Sequence, residues 1–203
     1  MGLLRNLFGP SREEIWRQLA AETGAEYVEG NWRKADKVQA QVKQWTITLD
    51  TYTVSTGKTY VTFTRFRAPY VNADGFRFKI YRKSMFSGLG KALGMQDVEI
   101  GEPQFDEAFI IQGNDEARLR QFFANPTIRQ LLSSQPEVNL EVKDDEGYFS
   151  TQFPEGVDEL HFFGPGIITD VERLKQLYEL FATVLDQLCQ IGSAYETDPQ
   201  VAL

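Results

Sequence analysis

Apolar residues recur at helical spacing between Ser11 and Gly24, with Ile15, Trp16 and Leu19 on one face. Ser11 stands in the N-cap position, Glu14 three residues on completes a capping box, and Gly24 sits where the helix would stop. A short strand is expected from Ala25 to Val28. From Val38 the period changes to two. Val38, Ala40 and Val42 alternate with polar residues, and Trp45, Ile47 and Leu49 alternate with threonines one residue out of phase, which predicts a bulge near Lys43 and Gln44. Thr56-Gly57-Lys58 reads as a turn and Tyr60 to Arg67 as a further strand. Asn72-Ala73-Asp74-Gly75 is a strong hairpin signal, because Asn and Gly tolerate positive φ. The next strand places Phe76, Phe78 and Ile80 on one face and Arg77, Lys79 and Tyr81 on the other, so the region reads as an antiparallel meander wet on one side.

Residues 84–96 break this pattern. Gly88, Gly90 and Gly94 lie among Met85, Phe86, Leu89, Leu93 and Met95, giving a loop or a short amphipathic helix. Asp97 to Gln112 reads as extended, interrupted by Gly101 and Pro103. Asn114 or Asp115 caps a helix carrying Leu119, Phe122 and Phe123, and Asn125-Pro126 ends it and opens a second from Thr127 to Ser133. Val138, Leu140 and Val142 alternate, Asp145-Glu146-Gly147 turns, and Tyr148 to Phe153 is expected to pair back, with His161 to Phe163 as a last short strand. Thr169 or Asp170 caps the longest helix, Val171 to Ile191, whose stripe of Leu174, Leu177, Tyr178, Phe181, Val184, Leu185 and Leu188 faces a core. Residues 194–203 lack periodicity and are expected as a mobile tail, and residues 1–193 as one domain.

These elements predict an α+β fold, a bent antiparallel sheet of about six to nine strands with the long C-terminal helix packed on it and short helices between strands. The 15 phenylalanines supply apolar area without polar atoms to satisfy, which suits a packed core. The net charge of −8 repels phosphate backbones, so no nucleic-acid partner is expected. One cysteine, Cys189, and one histidine, His161, exclude an intrachain disulfide, a multi-cysteine metal cage and a His-rich metal site. Neither metal nor cofactor is expected. The apolar run of Leu3, Leu4, Leu7 and Phe8 is too short for a leader or a span, and Asn6 breaks the myristoylation pattern. A cytoplasmic location is the expectation.

Candidate chemistry is sparse. Gly57-Lys58-Thr59 ends like a phosphate-binding loop, but Tyr52 stands where that loop needs glycine, and strands flank the turn on both sides. Gly88, Gly90 and Gly94 are spaced one residue too long for a dinucleotide fingerprint. Arg82, Lys83 and Lys91 bracket Met85, Phe86, Leu89 and Leu93, a composition suited to an anionic membrane surface or a partner groove, or to a loop that folds down and buries them. Asp106 lies inside an apolar stretch and could accept backbone hydrogen bonds at a loop edge or take part in acid–base work. His161 and Cys189 have no nucleophile motif beside them.

The segment Tyr81-Arg82-Lys83, the glycine-rich stretch and Asp97 to Phe109 together resemble a family of bacterial proteins of unknown function. In that family a strand with the pattern Gly-acidic/polar-Pro-x-Phe-Asp-x-x-Phe precedes a helix and a hairpin. The resemblance spans residues 60 to 163, with Asp115 to Ser133 as the helical part and Val138 to Phe153 as the hairpin. It implies structural roles for Gly101, Pro103, Phe105, Asp106 and Phe109: the two phenylalanines hold the strand in the core and Asp106 fixes the neighbouring turn. It implies no activity, cofactor or substrate. The leading expectation is a non-enzymatic binding or scaffold module of a bacterial cell, touching a protein partner or an anionic membrane through Arg82, Lys83, Met85, Phe86, Leu89, Lys91 and Leu93. The alternatives are an enzyme using cleft carboxylates such as Asp106 with His161, a peripheral membrane protein acting through residues 84–96, and a subunit of a larger assembly.

Overall fold

A computed structural model describes residues 10–32, 35–55, 57–85, 96–144 and 152–203. In chain order the elements are α1 (Arg12–Thr23), β1 (Glu26–Val28), β2 (Lys37–Val42), β3 (Trp45–Ser55), β4 (Tyr60–Asn72), β5 (Phe78–Arg82), a 3-10 turn (Lys83–Met85) and β6 (Gln96–Asp97). There follow α2 (Pro103–Ala108), β7 (Phe109–Gly113), α3 (Glu116–Phe123), α4 (Pro126–Ser134), β8 (Asn139–Lys143), β9 (Val157–Pro165), α5 (Val171–Gln190) and β10 (Ala194–Tyr195).

The helix ends follow the capping chemistry. Ser11 Oγ accepts from the Glu14 N–H, the Glu14 carboxylate accepts from the Ser11 N–H, and Gly24 closes α1 at φ 71°. Asp115, Asn125 and Asp170 cap α3, α4 and α5, each accepting a backbone N–H of its own first turn.

Nine strands form one antiparallel sheet in the order β1-β2-β3-β4-β9-β8-β5-β7-β6, and β10 adds to the end of β4. The five α-helices of the described residues lie on one face. Tyr178 and Phe181 of α5 pack their rings on Phe66 of β4, Phe122 of α3 packs on Phe78 of β5, and Phe105 of α2 packs on Phe109 of β7. α1 and α4 pack against α5. The fold is therefore a two-layer α+β arrangement with its core between helices and sheet, where Trp16, Trp45, Ile47, Leu49, Phe66 and Phe162 are fully buried. No helix of the described residues is long and apolar enough to cross a membrane.

Several local expectations are corrected. The phase slip at Lys43-Gln44 is a tight turn rather than a bulge: Val42 pairs with Trp45, and Lys43 takes φ 52°. A lysine in that conformation carries no turn signature, but its Nζ is tied to Asp186 of α5 at 2.8 Å and to Glu196 at 3.3 Å. Asn72 does organise the turn before β5, its side chain accepting the N–H groups of Asp74 and Gly75, yet β4 and β5 do not pair. β9 and β8 stand between them. The short terminal strand expected at His161 to Phe163 is the nine-residue β9, paired with β4 from Thr64↔Gly164 to Val71↔Val157 and with β8 on its other side. The partner strand expected at Tyr148 to Phe153 lies mostly outside the described residues. Pro103 to Ala108, read as extended, is helical because Pro103 occupies the first turn, where its missing N–H costs nothing. The residues expected to form a tail begin with β10, in which Ala194 and Tyr195 pair with Asn72 and Val71.

Within the first half of the chain β5 has no sheet partner, and β4 lacks both β9 along its edge and α5 over Phe66. A fragment of residues 1–83 is expected to give a random-coil far-UV spectrum and undispersed amide resonances, and a dispersed spectrum would show that β9 is not needed to order β4 and β5.

Candidate functional site

The face of the sheet turned away from the helices is built from polar residues in register. Glu26, Gln39, Thr48, Arg67, His161, Glu141, Lys79, Gln112 and Asp97 stand opposite one another in that order, one from each of the nine strands. Side chains alternate along every strand, so each member neighbours a core residue pointing the other way, as Arg67 does beside Phe66. Adjacent members are joined by Gln39 donating to Thr48 Oγ1 at 3.1 Å, by the Lys79–Glu141 ion pair at 3.1 Å, and by Gln112 donating to Asp97 at 2.7 Å.

The centre of this row is ionic and buried. Asp50 accepts two hydrogen bonds from Arg65, both at 2.8 Å, and one from Arg67 Nη2 at 2.6 Å. The forked geometry makes these charge-assisted bonds strong and directional. His161 is 4% exposed, with Nδ1 3.8 Å from Glu141. Burial holds its pKa down to about 2, and the cations of Lys143, Arg65, Arg67 and Lys79 push the same way. The imidazole is thus neutral at ordinary pH and cannot act as a general acid there. Glu159, fully buried, stands opposite Lys143 in the neighbouring row.

Toward the β3–β4 turn this face becomes aromatic. Tyr52 stacks on Phe63 at 5.2 Å, Phe163 meets Phe63 edge-on at 5.7 Å, and the Arg65 guanidinium lies 5.1 Å over the Tyr52 ring. At the other end a cleft of about 560 Å³ opens between the sheet and residues 198–203. The sheet supplies Glu26, Gln39, Gln41, Thr46, Thr48 and Pro69 to its floor, and Lys37 Nζ donates to the Leu203 carbonyl at one side. Its lining is rich in amides and hydroxyls, which fix a ligand by hydrogen bonds without reacting with it.

The sequence-predicted residues lie elsewhere. Arg82, Pro103, Phe105 and Phe109 meet at a second cleft of about 600 Å³ beside α2 and α4. The Arg82 guanidinium lies 4.7 Å over Phe109 and donates to the carbonyls of Ser133 and Gln135, where it neutralises the C-terminal end of α4. Lys83 Nζ donates to the Asp106 carbonyl at 2.8 Å. Met85 closes the 3-10 turn, while Phe86, Leu89, Lys91 and Leu93 lie outside the described residues. The Asp106 carboxylate accepts the N–H groups of Ile100, Gly101 and Glu102 at 2.9–3.0 Å, and Gly101 holds the loop at φ 87°. Asp106 and His161 are not brought together: Asp106 precedes β7, three strand positions from β9, an offset of about 14 Å at the usual strand spacing. Among the described residues no three His, Cys, Asp or Glu side chains converge as a metal site.

Neither the family models nor the curated proteins contain a match to this chain. Among solved structures, the fold is similar to the crystal structure of the mycobacterial trehalose monomycolate transport factor A, at TM-score 0.52 and 9% identity, over 87% of this chain and 94% of that one. At that identity the likeness concerns the fold alone.

Substitutions at His161 and at Asp106 test these electrostatic roles. The folded pKa of His161 lies far below its ordinary value of 6.5, so the histidine costs nothing above that pH. As the pH falls below 6.5 the unfolded chain takes up a proton that the folded chain refuses, and stability declines by roughly 1 kcal/mol per pH unit. Urea unfolding from pH 7 to 4 should therefore show a shallower acid decline for His161→Gln than for the wild type, and parallel declines would mean that the buried histidine is protonated in the fold. Replacing Asp106 by Asn or by Ala should each cost about 2 kcal/mol in the same assay at pH 7, since an amide cannot accept on both sides from three N–H groups. An Asp106→Asn variant as stable as the wild type would contradict that account.

Proposed function

We propose that this chain is a non-enzymatic binding module of a bacterial cytoplasm, and that it takes an extended segment of a protein partner in the cleft between residues 198–203 and the helix-free face. The cleft carries the reading. Its floor offers donors and acceptors from Gln39, Gln41, Thr46 and Thr48, and the opposite side is formed by Asp198 and Gln200 to Leu203 of the same chain, which indicates that this face packs against polypeptide. The ionic groups nearby support it, because Asp50, Arg65 and Arg67 are committed to one another and His161 stays neutral.

The test compares immobilised wild type with a Gln41→Arg/Thr46→Arg variant, both exposed to soluble bacterial extract, with bound polypeptides quantified by mass spectrometry. The expected result is a polypeptide enriched on the wild type and reduced about ten-fold on the variant, the effect of losing roughly 1.4 kcal/mol of binding. Equal recovery on both would remove the cleft as the binding surface. Salt-sensitive co-sedimentation of the wild type with anionic vesicles, unaffected by the two substitutions, would favour the membrane-surface reading instead.

A further inference from the structure

β3 is longer than the strand that covers it. β2 pairs only with Trp45 through Leu49, whereas β3 continues to Ser55 and stays paired with β4 throughout, ending at Ser55↔Tyr60. Among the described residues no strand lies against the β2 side of Thr51 to Ser55. Register identifies the free groups. Val42 and Trp45 close a two-residue turn and so form a hydrogen-bonded pair, which makes Trp45, Ile47 and Leu49 direct their N–H and C=O groups at β2. By the same alternation Thr51, Thr53 and Ser55 direct theirs outward, while Tyr52 and Val54 direct theirs at β4. Thr53, Val54 and Ser55 are exposed, Val54 by 44%. The stretch Thr51-Tyr52-Thr53-Val54-Ser55 has no proline, no charge and no bulge, the devices that ordinarily blunt a sheet edge.

We propose that this edge joins two copies of the chain, antiparallel, about a two-fold axis at Thr53. The edge matches itself in that register. Thr53 faces its own counterpart and Thr51 faces Ser55, both as hydrogen-bonded pairs that use the outward N–H and C=O groups. Tyr52 then faces Val54 in the closer, non-bonded pairs, an aromatic against a β-branched residue, which is a favourable cross-strand combination. No charges meet across the axis, which matters for a chain of net charge −8, whose other surfaces tend to bring carboxylates together. Of the acids near the edge, Asp50 is turned onto Arg65 and Arg67, and Asp36 is held at 2.7 Å by Arg12, which also donates to Thr51 Oγ1. Tyr52 and Val54 share the face of Phe63 and Phe163, so pairing makes the aromatic strips of the two copies continuous. An isologous contact needs one self-complementary surface only, and this short edge supplies it. The inference is independent of what the cleft binds.

The contact is small, so association is expected to be reversible and weak. Sedimentation of the full chain at rising concentration, up to about 1 mM, where a Kd near 1 mM still leaves an easily measured dimer, should show a monomer–dimer equilibrium. Thr53→Pro removes the central outward N–H and, on the β4 side, only the hydroxyl contact of Thr53 with Thr62, and Val54→Lys places a charge on the edge. Each is expected to weaken the dimer at least ten-fold while the far-UV spectrum stays that of the wild type. If Thr53→Pro fails to fold, Val54→Lys carries the test alone. A wild type that stays monomeric across the range, or a folded Val54→Lys variant that dimerises as the wild type does, would overturn the proposal.

Discussion

The ladder between β4 and β9 is the contact on which the other features depend. It runs for eight residue pairs, from Thr64↔Gly164 to Val71↔Val157, and brings the two halves of the chain into one sheet. It also fixes which side chains of β9 face the helices. In the observed register Leu160 and Phe162 enter the core beside Phe66 and Ala68, and Glu159, His161 and Phe163 take the other face. A slip of one residue would exchange the two sets and push a carboxylate and an imidazole into the aromatic layer beneath α5. The cost of burying unpaired polar groups there makes that slip prohibitive, so register and core composition enforce each other.

The same logic explains a sheet face that is polar without being open. Arg67, Glu159 and His161 are nearly inaccessible to solvent although no described helix packs on that face. A buried ion pair adds little net stability compared with apolar residues of the same size, but removing one partner strands the other. Asp50 between two arginines is such a case, and its effect falls on specificity: only one alignment of β3 with β4 lets a single carboxylate meet both guanidinium groups. The cleft at residues 198–203 lies along the edge of this polar face.

The fold class and the helix ends were legible in the sequence, since caps, helical stripes and period-two runs are local signals. Ser11 with Glu14, Asn125 before Pro126, and Asp170 before α5 could all be read without any tertiary information. β9 was reduced to a fragment because Asp158, Glu159 and His161 interrupt the apolar alternation, and their partners lie on strands far away in the chain. The Lys43 turn was misread for the opposite reason: the residue bearing the positive φ is held by ion pairs to Asp186 and Glu196, which no neighbouring residue announces. The polar row was invisible for want of topology. Each strand contributes one unremarkable residue, and only the strand order aligns them. Loop composition drew attention to Arg82 and Lys83, whose cations turn out to serve backbone carbonyls.

The strand order has a further consequence for the growing chain on a ribosome. β4 is complete at Asn72, but its partner β9 ends at Pro165. At elongation speeds of about 5–20 residues per second, β4 waits roughly 5–20 s for the strand that will cover it. During that interval Phe66, Tyr70 and the Val-rich and Thr-rich hairpin of β3 and β4 have neither β9 nor α5 to shield them. Synthesis therefore exposes an adhesive surface for far longer than the microseconds in which a hairpin forms, and the nascent protein is a natural client for whatever guards emerging chains.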